Sequence, residues 1–242
     1  MLKKLMASVG IGGATVETIL TETAVQKGHD LTGIVLIKGG AVSQTISGID
    51  LHIQTKYKKE SNDTTYYVTT TVQKETIMNE FNIEPAQQKE IPFKIKLTNQ
   101  LPFTIGQTRL WLYTDLNIDS AVDAQDQDVL TILPSSGETL VLNAIKNLGG
   151  HLKESEIEER YISWLGHRQL VQELDYRLTD SFNVEEVEFC FLNETEEDIT
   201  LSIEVDKVFS LKRERSYSVT LKKSEDLVTQ LQEAIQEVVK RS

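Results

Sequence analysis

The stretch from residue 64 to residue 77, TTYYVTTTVQKETI, constrains this chain more than any other, because it all but excludes helix. Threonine, valine and tyrosine lose side-chain freedom against a helical backbone and fit a pleated strand instead. Its neighbours agree. Residues 15–22 (TVETILTE) alternate, residues 31–38 (LTGIVLIK) form a compact apolar run, and residues 45–58 place Ile49, Leu51 and Ile53 on one face. A period of two is the period of a strand. Turn signals at 38–40 (KGG) and 61–63 (SND) separate these segments by hairpin-like connections. Further strands are expected near 89–98 and 107–116, with Pro92 marking a strand start or a sheet edge because it cannot donate to a ladder. Closely spaced antiparallel strands of this kind predict a β-sandwich.

The residues 134–137 (PSSG) follow the short run Val129–Leu133 and precede a different pattern, so the domain junction is placed there: 1–134 for a first sandwich domain, 135–242 for a second. Residues 138–148 carry helical apolar spacing at Val141, Ala144, Ile145 and Leu148, and Gly149 and Gly150 supply a stop. Strands are expected near 151–162, 169–179, 184–192, 198–206 and 215–222. A terminal helix closes the chain, with Ser224 as its cap and Leu227, Leu231, Ala234, Ile235 and Val238 as its apolar stripe. Packing on its own domain is the default for such a stripe; docking on a partner or a second copy is the alternative, which makes Leu227, Leu231, Ile235 and Val238 interaction candidates. Leu2, Leu5, Met6 and Val9 form a similar, shorter stripe at the other terminus and join them.

The glycines at 10, 12 and 13 resemble a phosphate-cradling loop. A dinucleotide fingerprint needs a strand before the glycines and a helix after them, and here the order is reversed. Their expected role is a helix stop and tight turn. Asp119, Asp123, Asp126 and Asp128 are the best metal candidate, since calcium takes several carboxylate oxygens from one loop, but the glycine and terminal glutamate of an EF-hand are missing. The default for this segment is a polar connection between strands. His29, His52, His151 and His167 lack the spacing of a helical zinc pair, and Ser181, Ser216 and Cys190 have no nucleophile-elbow context. Cys190, inside the apolar run 187–192, reads as a buried small hydrophobe, and Trp111 and Trp164 as core or interface anchors. No catalytic constellation and no cofactor are expected.

The net charge of −12 argues against a nucleic-acid partner, which needs a basic surface to displace counterions. Residues 1–134 hold 12 basic against 15 acidic residues, and residues 135–242 hold 13 against 22, so the acidity concentrates in the second half and suits solubility or a basic protein partner. One cysteine cannot form an internal disulfide, which fits a reducing compartment, and the cytoplasm is expected. No apolar stretch approaches the roughly 20 residues of a membrane span, and no signal peptide is expected.

Four stretches, KKLMASVGIGGATVETIL near the start, LPFTIGQTRLWLYTDLNIDSAVDAQDQDVLTILPS at 101–135, VLNAIKNLGGHLKESEIE at 141–158 and LVQEL at 170–174, together resemble the bacterial sporulation-control family, the SpoOM family. Asp119, Asp123, Asp126 and Asp128 match its pattern at the end of the first domain, while Ala124 stands where the family commonly has proline. The resemblance implies an all-β chain of two tandem arrestin-like β-sandwich domains with short N-terminal and C-terminal amphipathic helices. It also implies a non-enzymatic cytoplasmic regulator of sporulation, linked to cell division, acting through protein partners. The partner's identity stays open, and a homodimer is one possibility. A calcium- or carbohydrate-binding β-sandwich is the competing expectation from the aspartates and tryptophans.

Overall fold

The computed structural model describes residues 12–61, 64–162, 166–178, 184, 186–206 and 216–241. The expected helix at Leu2, Leu5, Met6 and Val9 lies outside them. Backbone contacts divide the chain into two compact units. The first comprises residues 1–55, 69–101 and 109–133; the second takes residues 134–242 together with two earlier segments, 56–68 and 102–108.

The first unit is built almost wholly from the period-two segments. Its strands are β1 (Thr15–Leu20), β2 (Ala24–Gln26), β3 (Asp30–Lys38), the first part of β4 (Gln44–Ser61), the later part of β5 (Thr64–Met78), β6 (Phe81–Ile83), β7 (Gln88–Lys96), β8 (Leu110–Ile118) and β9 (Ala124–Leu133). One sheet has the order β1-β3-β7, all antiparallel. The other runs β4-β8-β9-β2, with β5 and β6 also paired to β4. The inner faces meet as alternation requires: Val35, Ile37, Ile91 and Phe93 come from one sheet, and Ile49, Leu51, Ile53, Leu110, Leu112 and Leu130 from the other. Two residues show why the backbone takes this form. Gly12 turns the chain into β1 at φ 72°, a conformation glycine adopts without steric cost. Gly33 lies opposite Phe93, and a Cβ there would stand 2.7 Å from the ring and 2.5 Å from the Ile19 carbonyl, so the strand keeps a glycine to let the ring in. Pro92 falls within the edge strand β7.

In the second unit α1 (Ser136–Asn147) begins at a capping box: the Glu138 N–H donates to Ser135 Oγ at 3.1 Å, and the Ser135 N–H donates to the Glu138 carboxylate at 2.8 Å. Strands β10 (His151–Ile162), β11 (His167–Arg177), β12 (Glu186–Glu194), β13 (Asp198–Asp206) and β14 (Tyr217–Lys222) follow as an antiparallel meander, which the end of β4 extends by a parallel bridge at Lys58 and Glu158. The terminal helix α2 (Leu227–Arg241) packs on α1, β13 and β14. Its cap is Asp226 and not the expected Ser224: the carboxylate accepts the Val228 N–H at 3.1 Å and the Thr229 hydroxyl at 2.6 Å, because a turn at Lys222–Glu225 delays the start of the helix.

Candidate functional site

The four candidate aspartates do not converge. Asp119 and Asp123 lie in the exposed turn between β8 and β9, where Asp123 accepts the Ile118 N–H at 2.7 Å. Asp126 and Asp128 are on β9 itself, on its inward face, since the alternation of aspartate with Gln125, Gln127 and Val129 is a strand pattern continuing into Leu130 and Ile132. Asp126 reaches the opposite sheet and accepts the Thr18 N–H at 2.6 Å; beside it the Thr18 and Thr114 hydroxyls share a buried bond of 2.6 Å. Asp128 has one carboxylate oxygen buried without a hydrogen bond, and burial, then the charges of Asp126 and Glu17, push its pKa up to about 6. The segment expected to be a polar connection therefore splits into a turn and a polar seam between two sheets.

The candidate stripe on α2 is consumed internally. Leu227, Leu231, Ile235 and Val238 are all buried within their own unit, Leu231 and Ile235 completely. Trp164 and Ser181 lie outside the described residues. Cys190 is buried, and burial, with the charge of Glu173, pushes its thiol far up, away from the reactive thiolate. His52 stacks edge-on with Tyr113 at 5.8 Å, and burial lowers its pKa, favouring the neutral form.

The most densely charged place is one that the residue-by-residue reading missed. Cross-strand pairing puts Glu173 opposite Cys190, Asp175 opposite Glu188, and Glu188 opposite Glu204, so that β11, β12 and β13 present carboxylates on one face. From β10, Arg160 donates to Glu173 at 2.7 Å and to Glu188 at 3.2 Å, and it lies 3.6 Å from Glu204. One guanidinium faces three carboxylates. Burial first, then a hydrogen bond to Glu188 and its charge, push Glu173 upward, towards its protonated form. Burial, then Glu188, Glu154 and Glu186, push Asp175 up to about 6. Oxygens of Glu173, Asp175 and Glu188 come within 4.8 Å of one another, and Arg160 already supplies a cation there. The signal was present in the sequence as alternating acids, 154, 156 and 158 before Arg160, then 173 and 175, then 186 and 188.

A third arrangement anchors α1. Glu194, at the end of β12, accepts the Ser135 hydroxyl, the Gly137 N–H at 3.0 Å and the Lys223 ammonium at 2.5 Å. Burial opposes its charge, but these bonds outweigh it and hold Glu194 below the usual glutamate range. A carboxylate on a helix N-terminus is favoured by the exposed amides and by the dipole. Here the chain's own residue takes that place.

These geometries are structural closures, and they sit within a sequence whose kinship is well defined. A sequence model of the SpoOM protein family matches residues 2–209. The chain belongs to the SpoOM family. It is similar to the protein named sporulation-control protein Spo0M of Bacillus subtilis (strain 168), with 32% identity over 209 residues, spanning 85% of this chain and 80% of that protein. Its fold is similar to the crystal structure of Spo0M, sporulation control protein, from Bacillus subtilis, with a TM-score of 0.81 at 27% identity over 96% of this chain and 99% of that one. The mostly-β architecture with a terminal helix is thus that of a solved family member. Among the described residues, no helix is long and apolar enough to cross a membrane.

Proposed function

We propose that this chain is a non-enzymatic regulator of sporulation that acts by protein–protein contact, as a scaffold of arrestin-like domains in the cytoplasm. The observation that carries the reading is similarity over 85% of its length to a protein named for sporulation control. The chemistry of the described residues supports the non-enzymatic part. Groups able to do acid–base or nucleophilic work are engaged in holding the fold: Cys190 is buried with its thiol protonated, Glu194 caps α1, and Arg160 is shared among Glu173, Glu188 and Glu204. A general base needs a free position within reach of a substrate proton, and these groups are committed to one another. A link to cell division belongs to the same reading, as does a basic partner drawn to the acidic second unit.

Replacing Spo0M in Bacillus subtilis by this chain and counting heat-resistant spores tests the regulatory claim. The expected result is the sporulation frequency of the parent strain; the frequency of a strain lacking Spo0M, from a chain that is expressed and folded, would refute it. In-cell crosslinking during sporulation is expected to return specific protein partners.

A further inference from the structure

Side chains directly opposite one another across a sheet interact, and like charges so placed are destabilising. The meander of the second unit keeps them there. Glu156 stands opposite Glu173, Glu154 opposite Asp175, Asp175 opposite Glu188, and Glu188 opposite Glu204. The neighbouring cations do not cancel them, because each is divided or engaged elsewhere. Arg160 is shared by Glu173, Glu188 and Glu204, and Lys153 pairs with Glu186. At the end of β4, Lys58 meets Glu156 at 2.7 Å and Glu158 at 3.4 Å, and Tyr67 of β5 also donates to Glu156 at 2.7 Å. Glu173 is only 9% exposed, and one oxygen each of Glu173 and Asp175 is buried without a hydrogen bond, the Glu173 oxygen lying beside Arg160 but accepting no bond from it.

The crowding falls on the shortest ladder of the meander. Among the described residues β11 and β12 register over four residue pairs, Glu173–Tyr176 with Val187–Cys190, against eleven between β10 and β11 and eight between β12 and β13. Two of the four, Leu174 with Phe189 and Tyr176 with Val187, are buried core contacts. The other two set Glu173 against the Cys190 thiol and Asp175 against Glu188. One face of the ladder is thus held by apolar packing while the other is pushed apart by charge. A proton removes that repulsion in the least space, since a protonated carboxyl donates to a facing carboxylate where two carboxylates can only accept.

We propose that the pairing of β11 with β12 is a proton-operated seam, which closes when Glu173 and Asp175 take up protons and loosens when they release them; this goes beyond the regulatory reading and does not depend on it. Burial first, and then Glu188, raise both carboxyls. A raised carboxyl costs nothing below its unfolded value, costs more as the pH rises, and reaches its full cost above the folded value, so the seam loosens as the pH rises. For Asp175 that interval runs from roughly 3.9 to about 6, and for Glu173 it extends higher. The Cys190 thiol, pushed far up by burial, stays neutral throughout.

Amide hydrogen exchange of the full chain, corrected for the intrinsic rate at each pH, reads the seam directly. Protection across Val187–Cys190 is expected to fall at least about tenfold between about pH 5.5 and 7.5, and the double change Glu173→Gln with Asp175→Asn is expected to remove most of that fall. The readout is local, so the titration of Asp128 in the first unit does not enter it. Wild-type protection that does not change with pH, or the same fall in the double variant, overturns the proposal. So does protection restored at about pH 7.5 by magnesium or calcium as fully as by acid, which would assign the neutralisation to a metal ion. If the double variant fails to fold, carbon-13 titration of the wild-type carboxyls decides. Midpoints above about pH 5 for both Glu173 and Asp175 support the seam, and a midpoint at or below that value for either overturns it.

Discussion

Replacing Glu194 by alanine should remove the clasp that ties the start of α1 to the end of β12. Three bonds end on this one carboxylate, from the Ser135 hydroxyl, the Gly137 N–H and the Lys223 ammonium. The side chains of Glu194 and Lys223 are only 17% and 16% exposed, so water replaces little of what is lost. Breaking a buried pair by removing one partner costs about 3–5 kcal/mol. Partial exposure brings that to about 2 kcal/mol, and the stranded Ser135 hydroxyl and Gly137 amide add about 1 kcal/mol together. A total of about 3 kcal/mol corresponds to a fall of about 6–12 °C in Tm for a chain of this size. Glu194→Gln keeps an acceptor for the Gly137 N–H but not the charge, and should lose about half as much.

The pH dependence supplies an independent check. Because the fold lowers the pKa of Glu194, its contribution is fully present above the unfolded value of roughly 4.3 and is lost as the pH falls through the folded value. The advantage of wild type over Glu194→Gln should therefore be constant between about pH 6 and 8 and vanish in acid. Thermal melts of the three proteins across that range, followed by near-ultraviolet circular dichroism, measure both quantities. A Glu194→Ala variant within 1 °C of wild type, or a wild-type advantage that persists unchanged well below the folded value, would show that the clasp contributes nothing and that α1 is held by its apolar face alone.

Other consequences are as direct. Thr114→Val should cost about 1–3 kcal/mol by leaving the buried Thr18 hydroxyl without its partner, while the double change Thr18→Val with Thr114→Val should be close to neutral; additive losses in denaturant titrations would contradict the pairing. Asp128→Asn should stabilise the first unit by about 1 kcal/mol above pH 6, after allowing for solvent screening. The sign follows from a carboxyl raised in the fold to about 6: its cost is absent below the unfolded value, grows as the pH rises through the interval and is complete above the folded value. Equal stability of the two proteins at pH 7.5 would refute this. Leu231→Ala should cost about 2–5 kcal/mol, because the side chain is fully buried under α2; a loss below about 0.5 kcal/mol would return the stripe to the status of a docking surface.

Much of the architecture was legible because the burial pattern has the period of the strands that produce it. Strand β8 alternates buried and half-buried residues along its whole length, and its sequence, LWLYTDLNI, shows the same beat. The apolar spacing of Val141, Ala144, Ile145 and Leu148 placed α1 at 138–148, within two residues of its start at Ser136 and one of its end at Asn147; the capping box that sets the start was not read. Strand β9 was harder. Aspartate and glutamine are poor strand formers, and Asp126 belongs in a strand because a backbone N–H 108 residues away in the sequence requires an acceptor there. The segment 102–108 likewise reads as the approach to β8, yet it joins the second unit, where Gln172 grips both the N–H and the carbonyl of Phe103, at 2.9 and 2.8 Å, and Phe191 meets its ring edge-on at 6.0 Å. Local pattern cannot announce a partner so distant along the chain. The acidic face around Arg160 is the intermediate case: its alternation is local, but only the pairing of four strands brings the charges onto one guanidinium.

These long-range closures have a common form. Asp126, Gln73, Gln172, Gln230 and Glu194 each use one side chain to satisfy backbone groups of a different segment, at a strand edge, a helix start or, for Gln172, the irregular stretch at Phe103. A buried or half-buried amide left without such a partner costs about 1–3 kcal/mol, so each closure both stabilises its unit and removes a template on which another chain could pair. For a protein proposed to work by contact, the surface left unclosed is then the informative one. It is not the apolar stripe of α2, which is buried, nor the aspartates of β9, which hold two sheets together. Strand β5, uncharged from Thr64 to Gln73 and without a buried residue, remains.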